Sequence, residues 1–232
     1  MFIAPSDAIS RIESDRDLVN KRYDQLRQIA QGLLEFNFPD EDYLRSKHMS
    51  REKSAEIRSW HFYVSDDSYD KYFKESMGML TLLKAYKKGR RNPDENAIRS
   101  VSRSLLSDYC FLANAFPEDV LPYIDADKAE TNRKLDDMKY VCETMLKYGV
   151  TDSEYRQAFA DCFLFSYKHQ NMARCAGSPN LKNALELSHL LEECDFKPFT
   201  SFFDRMFRKH TMDENLKGIL TKILGYYVWM TN

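Results

Sequence analysis

The chain has 232 residues, 43% hydrophobic and 30% charged, with a formal net charge of −2 and neither half strongly charged. That is a globular composition, and it excludes a whole-molecule electrostatic binder of nucleic acid or membranes. Glycine and proline number only 7 each, and Val, Ile and Thr make up about a tenth of the chain, which excludes sandwiches, barrels and Gly-rich phosphate-binding α/β folds. Straight Leu, Lys, Glu and Arg side chains favour helix instead.

The elements follow in chain order. Ser6 or Asp7 starts a long helix to about Phe36, with Ile9, Ile12, Val19, Leu26, Ile29, Leu33 and Leu34 at helical spacing. Phe38-Pro39-Asp40 breaks it. Residues 40–63 read as a polar helix, interrupted near Met49-Ser50 and ending in Trp60, His61, Phe62 and Tyr63. Asp66 or Asp67 caps a helix carrying Tyr69, Tyr72, Phe73, Leu80 and Leu83, which stops at Gly89 after Lys87 and Lys88. Asn92-Pro93-Asp94-Glu95 predicts an Asn cap, proline at the first helical position and a helix with Ile98, Val101, Leu105, Leu112 and Phe116 at spacings of three, four, seven and four. Pro117 and Pro122 predict a turn and a short helix, followed by a separate helix from about Asp127 to Tyr148 that Gly149 ends.

Thr151-Asp152-Ser153-Glu154 is a capping box for a helix expected to run to Gly177, with Tyr155, Phe159, Cys162, Phe163 and Ser166 on one face. Ser178-Pro179 starts the next helix, through Leu181, Leu185 and Leu191 to Cys194. Phe196 to His210 reads as a further helix with Pro198 near its start. Thr211-Met212-Asp213-Glu214 caps a last helix ending in Tyr226, Tyr227, Val228 and Trp229. The expectation is an all-α protein: a multi-helix bundle of eight to ten antiparallel helices, with solenoid-like stacking allowed, forming a single helical domain over 1–232 and compatible with two lobes meeting near 117–126.

The five cysteines, Cys110, Cys142, Cys162, Cys175 and Cys194, are odd in number and form no CxxC. They read as free thiols on helical faces in a reducing compartment, with neither a disulfide framework nor structural zinc. The N-terminus lacks the pattern of a signal peptide and no apolar run is long enough to span a bilayer, so a cytoplasmic protein with no membrane partner is expected.

Four constellations could carry function. Lys84, Lys87, Lys88, Arg90, Arg91, Arg99 and Arg103 form a basic stretch around a helix–helix loop, suited to nucleic acid or an acidic partner, or simply solvated. Phe196, Phe199, Phe202, Phe203 and Phe207, with Tyr226, Tyr227 and Trp229, exceed what one buried face requires; they form either a central core helix or a face for a protein partner or homodimer. Glu186-Leu187-Ser188-His189 is half of a di-iron motif, but no second half exists; no metal or cofactor is expected, and His189 is expected to pack on the core with one nitrogen satisfied.

Arg205 and His210 enclose four residues, Met206 to Lys209. This Arg-x4-His spacing resembles the catalytic signature of HEPN ribonucleases, an all-helical family. The resemblance covers six residues and implies metal-independent RNA cleavage, usually across a dimer interface, with His210 moving the proton and Arg205 holding the phosphate. The bland alternative is the basic end of an amphipathic helix. No nucleophile elbow, Walker A, dinucleotide fingerprint, zincin or EF-hand pattern occurs. The leading expectation is therefore an all-helical adaptor, scaffold or regulatory protein. It would bind another macromolecule through apolar-aromatic and basic surfaces: Lys87, Lys88, Arg90, Arg91, Phe199, Phe203 and Trp229. The enzyme reading stands as the alternative.

Overall fold

The computed structural model describes residues 3–45, 64–89, 94–113, 115–161, 171–194, 196–199 and 213–231. Of these, 85% are helical, and they contain nine helices and no strand. The all-α multi-helix architecture expected from composition is the one observed. In chain order the helices are α1 (Pro5–Phe36), α2 (Asp40–Arg45), α3 (Asp70–Lys87, entered through a 3₁₀ turn at Asp67–Tyr69), α4 (Glu95–Leu112), α5 (Pro117–Lys147), α6 (Asp152–Asp161), α7 (Met172–Ala176), α8 (Asn180–Glu193) and α9 (Glu214–Thr231).

The chain forms two compact units. The continuous unit comprises residues 18–130: the later part of α1, then α2, α3, α4 and the first part of α5. The split unit comprises residues 1–17 and 131–232: the start of α1, the rest of α5, and α6 to α9. In the continuous unit Tyr23, Leu26, Ile29 and Leu33 of α1 are fully buried, as are Phe73 of α3, Leu105 and Tyr109 of α4, and Ile124 of α5. Burial at three- and four-residue spacing is the amphipathic stripe read from the sequence, and each such side chain contributes ~1.5–3 kcal/mol. Gly32 lets α3 approach α1 closely; a Cβ there would stand 2.3 Å from Cδ1 of Leu80.

Polar pairs set the register of α1 against α5. In the split unit, Arg16 meets Asp136 at 2.5 Å and Glu13 meets Lys139 at 3.3 Å. In the continuous unit, Asp24 meets Lys128 at 2.7 Å and Arg27 pairs with Asp125. Each three-residue advance along α1 meets a three-residue retreat along α5, as antiparallel helices require, and the acid-x-x-base pattern recurs after eleven residues on both. Beneath the second set, the Tyr23 hydroxyl donates to buried Asp127 at 2.8 Å.

Several caps are those expected. The Thr151 hydroxyl accepts from Glu154 N–H at 3.2 Å, and Glu154 accepts from Thr151 N–H at 2.8 Å. Gly149, with φ +85°, closes α5: its N–H reaches Leu146 O, and Val150 N–H reaches Met145 O. That is the paired closure a left-handed glycine permits. Gly89 ends α3 with φ +66°.

Other boundaries differ from expectation. The α4 cap is Asp94, whose carboxylate accepts from Ala97 N–H at 2.6 Å; Asn92 and Pro93 lie outside the described residues. The α9 cap is likewise Asp213, accepting from Asn215 and Leu216 N–H groups. In both cases the carboxylate directly before the first helical residue is nearest to the free N–H groups. Pro117 and Pro122 do not delimit a short helix: α5 runs unbroken for 31 residues with Pro122 inside it. Pro117 sits where no N–H is needed, Pro122 removes a single ladder bond, and fully buried Val120 and Ile124 flank it.

The helix expected from Thr151 to Gly177 is not continuous either. α6 is described to Asp161, residues 162–170 with Cys162, Phe163 and Ser166 lie outside the described residues, and extended Asn171 starts α7 afresh, its side chain accepting from Arg174 N–H at 3.0 Å. Residues 196–199 are not helical, because Pro198 pushes its predecessor out of the α region. Residues 46–63 and 200–212, which hold the remainder of two expected helices, lie outside the described residues.

Candidate functional site: an arginine-lined groove between α2 and α4

In the continuous unit a groove of about 650 Å³ lies between α2 and α4, lined by Phe38, Asp42, Arg45, Ile98, Arg99, Ser102, Arg103 and Leu106. Local sequence builds it. Asn37, with φ +49°, ends α1 in the left-handed conformation that asparagine tolerates. Pro39 then directs the chain into α2, whose first turn holds Asp40, Glu41 and Asp42 and whose last holds Arg45. Tyr43 anchors α2: it is 3% exposed, edge-on to Tyr109 at 6.4 Å and 5.6 Å from Phe116. Burial and the nearby acids raise its phenol far above its ordinary pKa, so it stays neutral.

The floor of the groove is apolar. Leu106 is buried, while Ile98 is 38% exposed, high for an isoleucine on a packed helix. Three guanidinium groups rim it. Arg99 is held by Glu95 at 2.6 Å, one turn earlier on α4, and Arg45 by Glu41 at 3.7 Å on α2. Exposed pairs of this kind contribute little to stability and exchange readily for another anion. The arrangement can accept an apolar side chain flanked by carboxylates or phosphates, with the planar fork of arginine suited to both.

The basic stretch read from the sequence is divided by the fold. Arg99 and Arg103 face the groove. Lys84 instead pairs with Glu35 at 3.5 Å, and Lys87 donates to the Glu35 carbonyl at 3.2 Å with its ammonium 5.4 Å from the Phe36 ring centre. Lys87 thus closes the C-terminal end of α1, where the helix dipole favours a cation. Lys88 is exposed. Arg90, Arg91, Phe203, Arg205 and His210 lie outside the described residues. Phe199 is buried, with its N–H bonded to Lys147 O at 3.0 Å. Trp229 stands 57% exposed on α9, between buried Val228 and Met230. Phe38, Asp42 and Arg45 were not singled out by the sequence; they reach the groove only because Tyr43 docks α2 on α4.

The remaining candidate groups lie outside the groove. His189 does not pack on the core as expected. It is exposed and stacks on Tyr140 with ring centres 4.9 Å apart, and Glu186 lies 3.8 Å from Lys182, one turn earlier on α8. Glu192 accepts from Tyr140 at 2.8 Å and Lys147 at 2.9 Å. These bonds lower the Glu192 pKa and raise that of Lys147, and burial followed by the Glu192 bond pushes Tyr140 up to about 12. A fixed carboxylate, ammonium and phenol move no proton near neutrality. Burial pushes the Cys110, Cys142 and Cys175 thiols up to about 12, which removes them as nucleophiles. Cys194 is exposed, contrary to the expected apolar face. No group of three or more metal-ligating side chains occurs among the described residues, and no described helix is long and apolar enough to cross a membrane.

Fold and groove together define an all-helical protein with an arginine-rimmed groove between α2 and α4. No protein-family profile, curated protein or solved structure matches the sequence.

Proposed function

We propose that the protein is an interaction protein, an adaptor or regulator, that binds a protein partner through the α2–α4 groove. The arginine rim over an apolar floor carries this reading: it offers Arg45, Arg99 and Arg103 to carboxylates and Ile98 and Leu106 to an apolar side chain. The fitting partner segment is acidic and amphipathic, with apolar residues at helical spacing and Asp or Glu beside them. Exposed Trp229 is a second candidate anchor, since aromatic side chains of this kind dominate binding energies where they are used.

The test uses the full chain and two fluorescent probes of equal charge: an acidic amphipathic peptide of Leu, Phe, Asp and Glu, and a single-stranded RNA. The peptide is expected to bind, and Arg99→Glu with Arg103→Glu to weaken it by roughly tenfold or more, equivalent to ~1.4 kcal/mol. RNA binding that survives the double reversal, or peptide binding that ignores it, overturns the groove. Cleavage of the RNA in EDTA, lost in both Arg205→Ala and His210→Ala, would replace this reading with the HEPN-like ribonuclease.

A further inference from the structure

Along the other side of α4, a shallow cavity of about 530 Å³ separates it from α3, lined by Glu75, Gly78, Met79 and Leu82 of α3 and by Ser104, Ser107 and Asp108 of α4. Two carboxyl groups from opposite helices therefore face one space. One oxygen of Asp108, Oδ2, is fully buried and has no hydrogen-bond partner among the described residues. A buried carboxylate oxygen that accepts nothing is costly, and a like charge across the cavity makes it more so. Protonation relieves both at once: the neutral carboxyl costs less to bury, and the like-charge repulsion from Glu75 is removed.

We propose that Asp108, buried across the cavity from Glu75, takes up a proton that makes the α3–α4 seam tighter in mildly acidic solution than at neutral pH. The proton comes from solvent and resides on Asp108, so no co-reactant is needed. The charges on α3 that act here are Glu75, which repels the Asp108 carboxylate, and Lys71, which attracts it and lies 3.8 Å from Glu75. The next charges along α3, Asp70 and Lys74, are paired with each other at 2.6 Å. On the opposite side of α4, α2 presents Tyr43 to Tyr109, and its charges, Asp42 and Arg45, line the other groove. The seam has an apolar end, where Tyr72 stacks on Phe111 with ring centres 5.0 Å apart.

Burial first and Glu75 second raise the Asp108 carboxyl from 3.8 to about 6. Because the folded value lies above the unfolded one, the folded state holds the proton more tightly. Stability therefore rises as pH falls through about 6, and the gain is complete below the unfolded value near 3.8. Asp70 runs the other way: bonding to Lys74 lowers its pKa, so its contribution is present above 3.8 and is lost as pH falls through its lowered folded value. Glu192, lowered from 4.5 by its bonds to Lys147 and Tyr140, likewise loses its contribution only as pH falls below that value, so a comparison of pH 7.5 with pH 5.0 reads the Asp108 effect.

Carbon-detected carboxyl titration by NMR on the intact protein, with thermal melts at pH 7.5 and pH 5.0, decides the matter. The expected result is an Asp108 midpoint near pH 6 that moves down in Glu75→Gln, and a melting temperature that rises on acidification in the native chain but much less in Asp108→Asn. An Asp108 midpoint near 4, or equal acid shifts in the native chain and Asp108→Asn, would overturn the proposal. The native-chain midpoint alone decides if Asp108→Asn does not fold.

Discussion

The two units treat buried polar groups differently. In the split unit, Tyr155 and Tyr227 are fully buried and satisfied. The Tyr155 hydroxyl accepts from Ile3 N–H at 3.2 Å and exchanges a bond with Thr231 at 3.1 Å, while Tyr227 donates to Ile3 O at 2.8 Å. In the continuous unit, Tyr109 is as deeply buried, yet its hydroxyl has no partner among the described residues; the same holds for Ser76 Oγ, Asp108 Oδ2 and Arg22 Nε, whereas the split unit leaves one such atom, Asp152 Oδ1. Arg22 does use its other nitrogens, on Val64 O at 2.8 Å and Asp67 at 3.1 Å. Completed polar cores specify one packing, whereas incomplete ones leave free energy to be gained by a proton or a substitution. The unit with four of these five unpartnered atoms is also the one that carries the groove.

The comparison can be broken at several levels. The largest effect is expected from Tyr155→Ala, which removes a buried ring and both of its bonds; a loss of ~3–5 kcal/mol in chemical denaturation is expected, and a loss below ~1 kcal/mol would show that the split unit does not depend on this network. Next is Gly32→Ala. A helix normally gains ~1 kcal/mol from this change, but here the new methyl collides with Leu80 and overpacking costs ~1–3 kcal/mol. The expected outcome is a net fall in melting temperature, whereas Gly218→Ala, whose Cβ meets nothing within 4 Å, should raise it. The finest cut compares single hydroxyls. Tyr227→Phe should cost ~1–2 kcal/mol because it strands the Ile3 carbonyl, while Tyr109→Phe should be neutral or stabilise by up to ~1 kcal/mol. Equal losses in both would erase the distinction between the units.

Much of the fold was legible because its signals are local. The Thr151–Glu154 box, Gly149 and Gly89 each act within five residues, and all three fall where the sequence puts them. The misjudged boundaries were contests that local reading decides wrongly. At Asp94 and Asp213 the carboxylate nearest the helix took the capping role expected of Asn92 and Thr211. At Pro122 the burial of Val120 and Ile124 outweighed one lost ladder bond. The site was half legible: Arg99 and Arg103 stood out as a run of cations, but Phe38 and Arg45 join them only through the docking of Tyr43. The α1–α5 pairs were invisible for the same reason, although the repeated acid-x-x-base pattern is their trace in the sequence.

The distribution of thiols makes the molecule its own unfolding gauge. Cys194, exposed at the end of α8, is open to alkylation in the native state. Cys110 in the continuous unit, and Cys142 and Cys175 in the split unit, are shielded and protonated. Brief exposure to a maleimide, followed by mass spectrometry of the fragments, would therefore report which half has opened, peptide by peptide, without any label having been engineered into the chain.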